Sequence, residues 1–215
     1  MTGQVRTVDG RVAGRRGQET RQKLLDCLRE MLSTSPYRDV KVIDVARMAG
    51  TSPATFYQYF PDVEGAVLEI AEEMAKDSDT LKELVAGKSW AGKSGPTTSE
   101  ELVDGFLAFW RKNDAILRVV TLGAAEGDKR FFKIRMTVLN SVAKPLAEAV
   151  KELQAKGQAD KSLDPNAVSG ALVSLLASAA EHQKAFTSWG VKVKDLKPNL
   201  APLVYLGVTG KKAPK

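Results

Sequence analysis

The chain has 215 residues, with 32 Lys and Arg against 26 Asp and Glu (formal net charge +6) and 43% hydrophobic side chains. That balance belongs to a folded globular protein and excludes a disordered or collagen-like one. No apolar run approaches the ~20 residues of a membrane span, and no apolar stretch follows the N-terminal arginines as a secretory signal requires. No membrane partner and a cytoplasmic location are therefore expected. One cysteine (Cys27) and one histidine (His182) predict no internal disulfide, no ordinary zinc site and no cofactor.

Residues 1–23 carry Arg6, Arg11, Arg15, Arg16, Arg21 and Lys23 against Asp9 and Glu19. Residues 1–17 read as a flexible basic arm suited to phosphate or minor-groove contact, with Arg15 and Arg16 as candidate DNA ligands. From Gln18 to Ser33, Leu24, Leu25, Leu28, Met31 and Leu32 make one helical stripe, with Cys27 packed beside it. Pro36 and the Tyr37-Arg38-Asp39 turn end that helix.

Residues 42–60 read as two short helices joined by a tight turn. Val42, Val45, Ala46 and Ala49 recur at helical spacing on one face, and Gly50 supplies the left-handed conformation that ends a helix. Ser52 suits an N-cap and Pro53 the first helical position, where its missing N–H costs nothing. Phe56 and Phe60, four apart, are predicted to face inward. Ala54, Thr55, Gln58 and Tyr59 are left on or near the outer face, and a methyl, a hydroxyl, an amide and a phenol suit base edges and phosphates in a major groove. The run Ala46-Arg47-Met48-Ala49-Gly50-Thr51-Ser52, then Thr55-Phe56-Tyr57-Gln58-Tyr59-Phe60-Pro61, resembles the TetR family of transcriptional regulators. That family's pattern is an isoleucine-alanine pair, an Ala-Gly turn and Thr-Leu-Tyr-x-Tyr-Phe. The likeness is sharp over about Gly17 to Ala75. With it, Gln58 and Thr55 are expected at base edges, Ala54 or Pro53 at a thymine methyl, and Tyr57, Tyr59 and Lys41 at phosphates.

Pro61 and Asp62 open a fourth predicted helix, Val63 to about Val85, with Val67, Ile70, Ala71 and Met74 on its apolar face. Over Asp62 to Glu83, eight acids face only Lys76 and Lys82. Residues 86–97 read as a flexible linker. Within it, Gly87-Lys88-Ser89-Trp90-Ala91-Gly92-Lys93-Ser94 matches the phosphate-loop pattern. It is rejected because no strand precedes it and because Gly95-Pro96 should stop a helix through Lys93 and Ser94. Thr98 and Glu101 have capping-box spacing and begin a helix to about Lys112. A separate apolar segment, Ala115 to Ala125, ends at Glu126-Gly127-Asp128. A long helix, Lys129 to Lys156, follows with a kink expected at Pro145. Asp164-Pro165 caps a helix from Asn166 to about Ser188, and a last helix covers Pro198 to Val208. No β alternation persists. The expected fold is all-α, with the arm at 1–17, a three-helix helix-turn-helix DNA-binding domain at 18–62, a larger helical bundle for ligand binding and dimerisation at 63–210, and a basic tail at 211–215.

Aromatic side chains concentrate in the larger domain, where they either line a cavity or pack as core. Phe106, Phe109, Trp110, Met136 and Asn140 are candidate ligand contacts, and so is His182, although a lone helical histidine is usually structural. No catalytic constellation is present. On the helix from Asn166, Gly170, Ser174, Ala177 and Ser178 form a small-residue face beside a leucine stripe, open to another helix of the same or a second chain. The resemblance implies a small effector in this domain and a four-helix interface in which the last two long helices meet their symmetry mates. It further implies that ligand shifts the fourth helix. The expected protein is a homodimeric repressor released from a palindromic double-stranded DNA operator by a small hydrophobic ligand. The alternative is a ligand-binding or scaffolding helical dimer with weak or no specific DNA binding. The alternative is motivated by Val63, which, flanked by Asp62 and Glu64, stands where the family pattern has a lysine that binds phosphate at the start of the fourth helix. A second departure, Lys41 for a threonine at the start of the second helix, could itself reach a phosphate.

Overall fold

The computed structural model describes residues 7, 8 and 10–211, so the expectations for residues 1–6, Asp9 and 212–215 lie outside the described residues. The regular structure is helical throughout, with no β-strand among the described residues. The helices are α1 (Arg15–Thr34), α2 (Val42–Met48), α3 (Pro53–Tyr59), α4 (Val63–Asp77), α5 (Asp79–Lys82), α6 (Ser94–Ala125), α7 (Lys129–Ala155), α8 (Pro165–Glu181), α9 (Gln183–Ser188) and α10 (Leu196–Thr209). They form two compact units. The first takes the described residues up to Met74 together with Asp114–Ile134, and the second takes Ala75–Asn113 and Arg135 onward.

In the first unit Leu24, Leu25, Leu28 and Leu32 of α1 pack with Val45, Ala46, Phe56, Phe60, Val67 and Ile70, all essentially inaccessible to solvent. Cys27 is buried with them, and burial pushes its thiol pKa up, as packing chemistry predicts. Gly50, at φ +67°, makes the turn between α2 and α3 at no steric cost. In the second unit the α7 stripe Val138, Val142, Leu146, Val150 and Leu153 is buried, and α7 runs on through Pro145.

Several boundaries depart from the sequence expectation, each for a local reason. The first helix begins at Arg15, so Arg15–Gly17 are helical and not arm. Gly14 is extended, and the Gln18 amide donates to the Ala13 carbonyl at 3.1 Å, closing the entry. The fourth helix stops at Asp77 because buried Ser78 turns the chain, its hydroxyl bonding the Ala75 carbonyl at 2.6 Å. The predicted separate segments 98–112 and 115–125 are one 32-residue helix. Asn113 bonds back to the Phe109 carbonyl (2.9 Å) and Asp114 pairs with Arg118 (3.0 Å), so neither breaks it. That helix starts at Ser94, with Pro96 in the first turn where no intrahelical N–H is needed. Gly95-Pro96 therefore does not stop a helix there, and the phosphate-loop match falls instead because no strand precedes it among the described residues. Thr98 is not a cap; it is buried inside α6 and its hydroxyl bonds the Ser89 carbonyl at 2.8 Å. The helix from Asp164 breaks at His182 (φ −104°, ψ 28°) and resumes as α9.

Candidate functional site

The α3 helix is presented by a cap at one end and two phenyl rings beneath. The Ser52 hydroxyl accepts the Thr55 N–H at 3.2 Å and lies 3.0 Å from the Thr55 hydroxyl, satisfying a donor that a helix start leaves open. Phe56 and Phe60 are fully buried, their centroids 5.3 Å apart. This leaves Pro53, Ala54, Tyr57 and Gln58 exposed and Thr55 half-buried. Tyr59 is also half-buried, and its hydroxyl stands so close to Gly17 that a methyl there would lie 3.1 Å away. Lys41, the residue before α2, is exposed. The rear of the motif is stapled to α4. Arg21 lies 5.0 Å over the Phe60 ring and pairs with Glu69, and Arg29 meets Glu73 at 2.5 Å. Arg21, one of the arginines counted toward a basic N-terminus, is thus turned inward.

The acids near the start of α4 are already engaged. Asp62 accepts the Gly65 N–H at 2.7 Å, so its carboxylate sits where a helix N-terminus would otherwise take a phosphate. Glu64 pairs with Arg130, which also grips Asp128 at 2.6 Å. The Arg130 guanidinium pulls the Asp128 pKa down to about 2, and the two carboxylates raise that of Arg130. Arg38 meets Glu126 at 2.6 Å. The turn between α6 and α7 is thereby tied to the start of α4 and to the Tyr37–Asp39 turn that precedes α2. The Glu64–Arg130 and Arg38–Glu126 pairs were not legible in the sequence, because their partners are 66 and 88 residues apart.

The second unit holds a groove of about 870 Å³ between residues 79–91 and one side of α7. Val85, Trp90 and Leu153 supply buried apolar surface; Lys82, Lys144, Glu148, Glu152 and Lys156 supply charge; Thr137, Asn140 and Ser141 supply hydrogen-bonding groups. Asn140 lines it. Phe106 stacks on Trp110 (4.8 Å, 15°), and both are buried, as is Phe109. Met136 is half-buried, and exposed His182 places Nδ1 2.9 Å from the Ser178 carbonyl. None of these five lines the groove. The signal that could have found it is the polar stripe Thr137, Ser141, Lys144, Glu148, Glu152 at helical spacing beside the buried stripe of α7.

On α8, Ser169, Leu172, Val173, Leu176 and Ala177 are buried, whereas Gly170, Ala171, Ser174, Leu175 and Ser178 are exposed. The adjoining α10 exposes Leu203 and Leu206. The two helices pack closely: a methyl on Gly207 would fall 2.8 Å from Leu172.

A capped short helix over a glycine turn, with two phenyl rings below and polar groups outward, defines a helix-turn-helix DNA-binding protein. Residues 24–70 match the model described as bacterial regulatory proteins, tetR family, and residues 81–215 the one described as tetracyclin repressor-like, C-terminal domain. The chain belongs to the TetR family of DNA-binding transcriptional regulators. It is 33% identical over 78 residues to the HTH-type transcriptional regulator EthR of Mycolicibacterium smegmatis, covering 36% of each chain. The chain thus spans about a third of the length of that curated relative. It is 24% identical over 143 residues to the nucleoid occlusion factor SlmA of a Marinomonas species, covering 64% of this chain and 69% of that one. Among solved structures it resembles the fatty acid degradation regulator FadR of Bacillus halodurans (TM-score 0.65, 16% identity, 91% and 97% of the two chains). It also resembles the MbdR regulator of Azoarcus sp. CIB (TM-score 0.66, 15% identity, 87% and 98%). Likeness at that identity concerns the fold. No helix among the described residues is long and apolar enough to cross a membrane.

Proposed function

We propose that the chain is a homodimeric repressor that reads a palindromic operator with α3 and is released by a small ligand held in the groove beside α7. The observation that carries this reading is the outward face of α3, where Pro53, Ala54, Tyr57 and Gln58 are exposed over a rigid aromatic floor. In the bound form Gln58 and Thr55 address base edges, Ala54 or Pro53 a thymine methyl, and Tyr57, Tyr59, Lys41, Arg15 and Arg16 the phosphates. The exposed small and leucine faces of α8 and α10 support pairing with a second copy, which sets two α3 helices roughly 34 Å apart, one turn of DNA. The groove favours a ligand with an apolar body and polar ends over a purely hydrophobic one. Its long wall is α7, the helix that carries Arg130 at its start, and Arg130 grips Glu64 at the start of α4.

The capped N-terminus of α4 and Val63 favour a second reading, a ligand-binding or scaffolding dimer with weak DNA binding. Selection of bound sequences from random duplex DNA by the purified protein separates the two. A palindromic enrichment that disappears in Gln58→Ala is expected; salt-sensitive retention without enrichment, unchanged in that variant, sinks the repressor.

A further inference from the structure

The segment before α1 is held against the reading helix. The Val8 N–H donates to the Gln58 carbonyl at 2.8 Å. Around it Thr7 N–H donates to Arg11 O (2.9 Å), Gly10 N–H to Thr7 O (2.8 Å), and the Thr7 hydroxyl to Arg11 O (3.0 Å). The segment's other end is fixed by buried Ala13, whose carbonyl takes the Gln18 amide. Gln58 lies in the last turn of a seven-residue helix, where carbonyls lack intrahelical partners. The Val8 N–H fills one of them, and a helix so short depends on such outside partners. The turn and α3 are therefore one mechanical piece, although the family match begins only at residue 24.

Helix-turn-helix proteins put the N-terminal residues of the reading helix at base edges, so the backbone of its C-terminal turn stands at the rim of the major groove while the Gln58 side chain reaches inward. An element attached there lies over the phosphate ridge with the neighbouring minor groove beyond it. Arg11, Arg15 and Arg16 are all exposed along this segment and the first turn of α1. Narrow A·T-rich minor grooves concentrate negative potential and draw in arginine. We propose that residues 7, 8 and 10–13 form a second reading element, pinned to α3 through Val8 and Gln58, that inserts Arg11 into the minor groove flanking each half-site. It rests on α3 being the DNA-reading helix.

The test is selection from random-sequence duplex DNA by wild type, Arg11→Ala and Val8→Pro, with affinities on the wild-type-selected duplex at several salt concentrations. Wild type is expected to enrich a palindromic core flanked by A·T-rich positions. Arg11→Ala should keep the core, lose the flanking preference and bind about tenfold more weakly, with a salt slope reduced by about 2 for the two subunits. Val8→Pro removes the N–H while keeping every arginine, and should lose the same flanks. Flanks unchanged in Arg11→Ala overturn the inference while the α3 reading stands. A reduced slope with flanks unchanged means a phosphate contact and overturns it as well. If Val8→Pro abolishes the core through misfolding, seen as lost helicity, Arg11→Ala decides. No core in wild type overturns this inference together with the α3 reading.

Discussion

Replacing Val63 with lysine should strengthen DNA binding and steepen its salt dependence. Val63 is half-buried at the first position of α4, in a shallow hollow lined by Val40, Val42, Pro53 and Tyr57. A lysine stem can lie along that apolar surface while its ammonium emerges beside the DNA. The adjacent acids oppose little of the gain, since Asp62 is bound to the Gly65 N–H and Glu64 to Arg130. One new phosphate contact per subunit steepens the plot of log affinity against log salt by about 0.9, hence about 1.8 for a dimer. At roughly 0.1 M salt the same counterion release is worth about 1 kcal/mol per contact, or about 30-fold in affinity for two. Fluorescence anisotropy on the selected operator at four or five salt concentrations measures both quantities. An unchanged slope would refute the reasoning, because it would place the start of α4 away from the phosphates. A steeper slope without tighter binding would mean that Asp62 and Glu64 cancel the new charge.

Three further outcomes follow from packing and charge. A methyl on Gly95 would sit 2.2 Å from the Trp90 carbonyl and 2.4 Å from the Tyr205 ring, so Gly95→Ala should cost about 1–3 kcal/mol and lower the melting temperature by several degrees; an unchanged melt refutes the close approach. Asp128 is held at about 2, below its ordinary 3.8, so the folded form binds its proton later than the unfolded chain. Its stabilisation is complete above about pH 4 and is lost as the pH falls toward 2; unfolding followed between pH 5 and 2 should show a shallower decline in Asp128→Asn. Leu206 is 43% exposed on α10, so Leu206→Glu should leave helicity intact yet shift sedimentation from dimer to monomer, and a wild type that sediments as a monomer refutes the proposed interface.

The reading motif was the most legible part of the chain because its determinants are local. Ser52 caps a donor three residues away, Gly50 has its own conformational need, and Phe56 and Phe60 share a face by periodicity alone. The α7 stripe was legible for the same reason. Helix ends were less so. Ser78 and His182 interrupt helices whose apolar spacing continues past them, and Asn113 and Asp114 look like breakers but are bonded within one helix. In each case a hydrogen bond, not the pattern, settles the boundary.

From its residues alone this chain was all-α, carried a helix-turn-helix and resembled one family of regulators, since short-range spacing and turn chemistry suffice for that. Tertiary structure decided which charges are available. Arg21 counted toward a basic N-terminal stretch and is spent on Phe60 and Glu69; Asp62 and Glu64 looked repulsive and are already bound; the aromatic candidates pack as core while a groove opens on the polar side of α7. Arg21 meets one side chain at the end of α3 and another on α4, and Glu64 meets one 66 residues away; a one-dimensional pattern carries no record of which distant side chain folds against which.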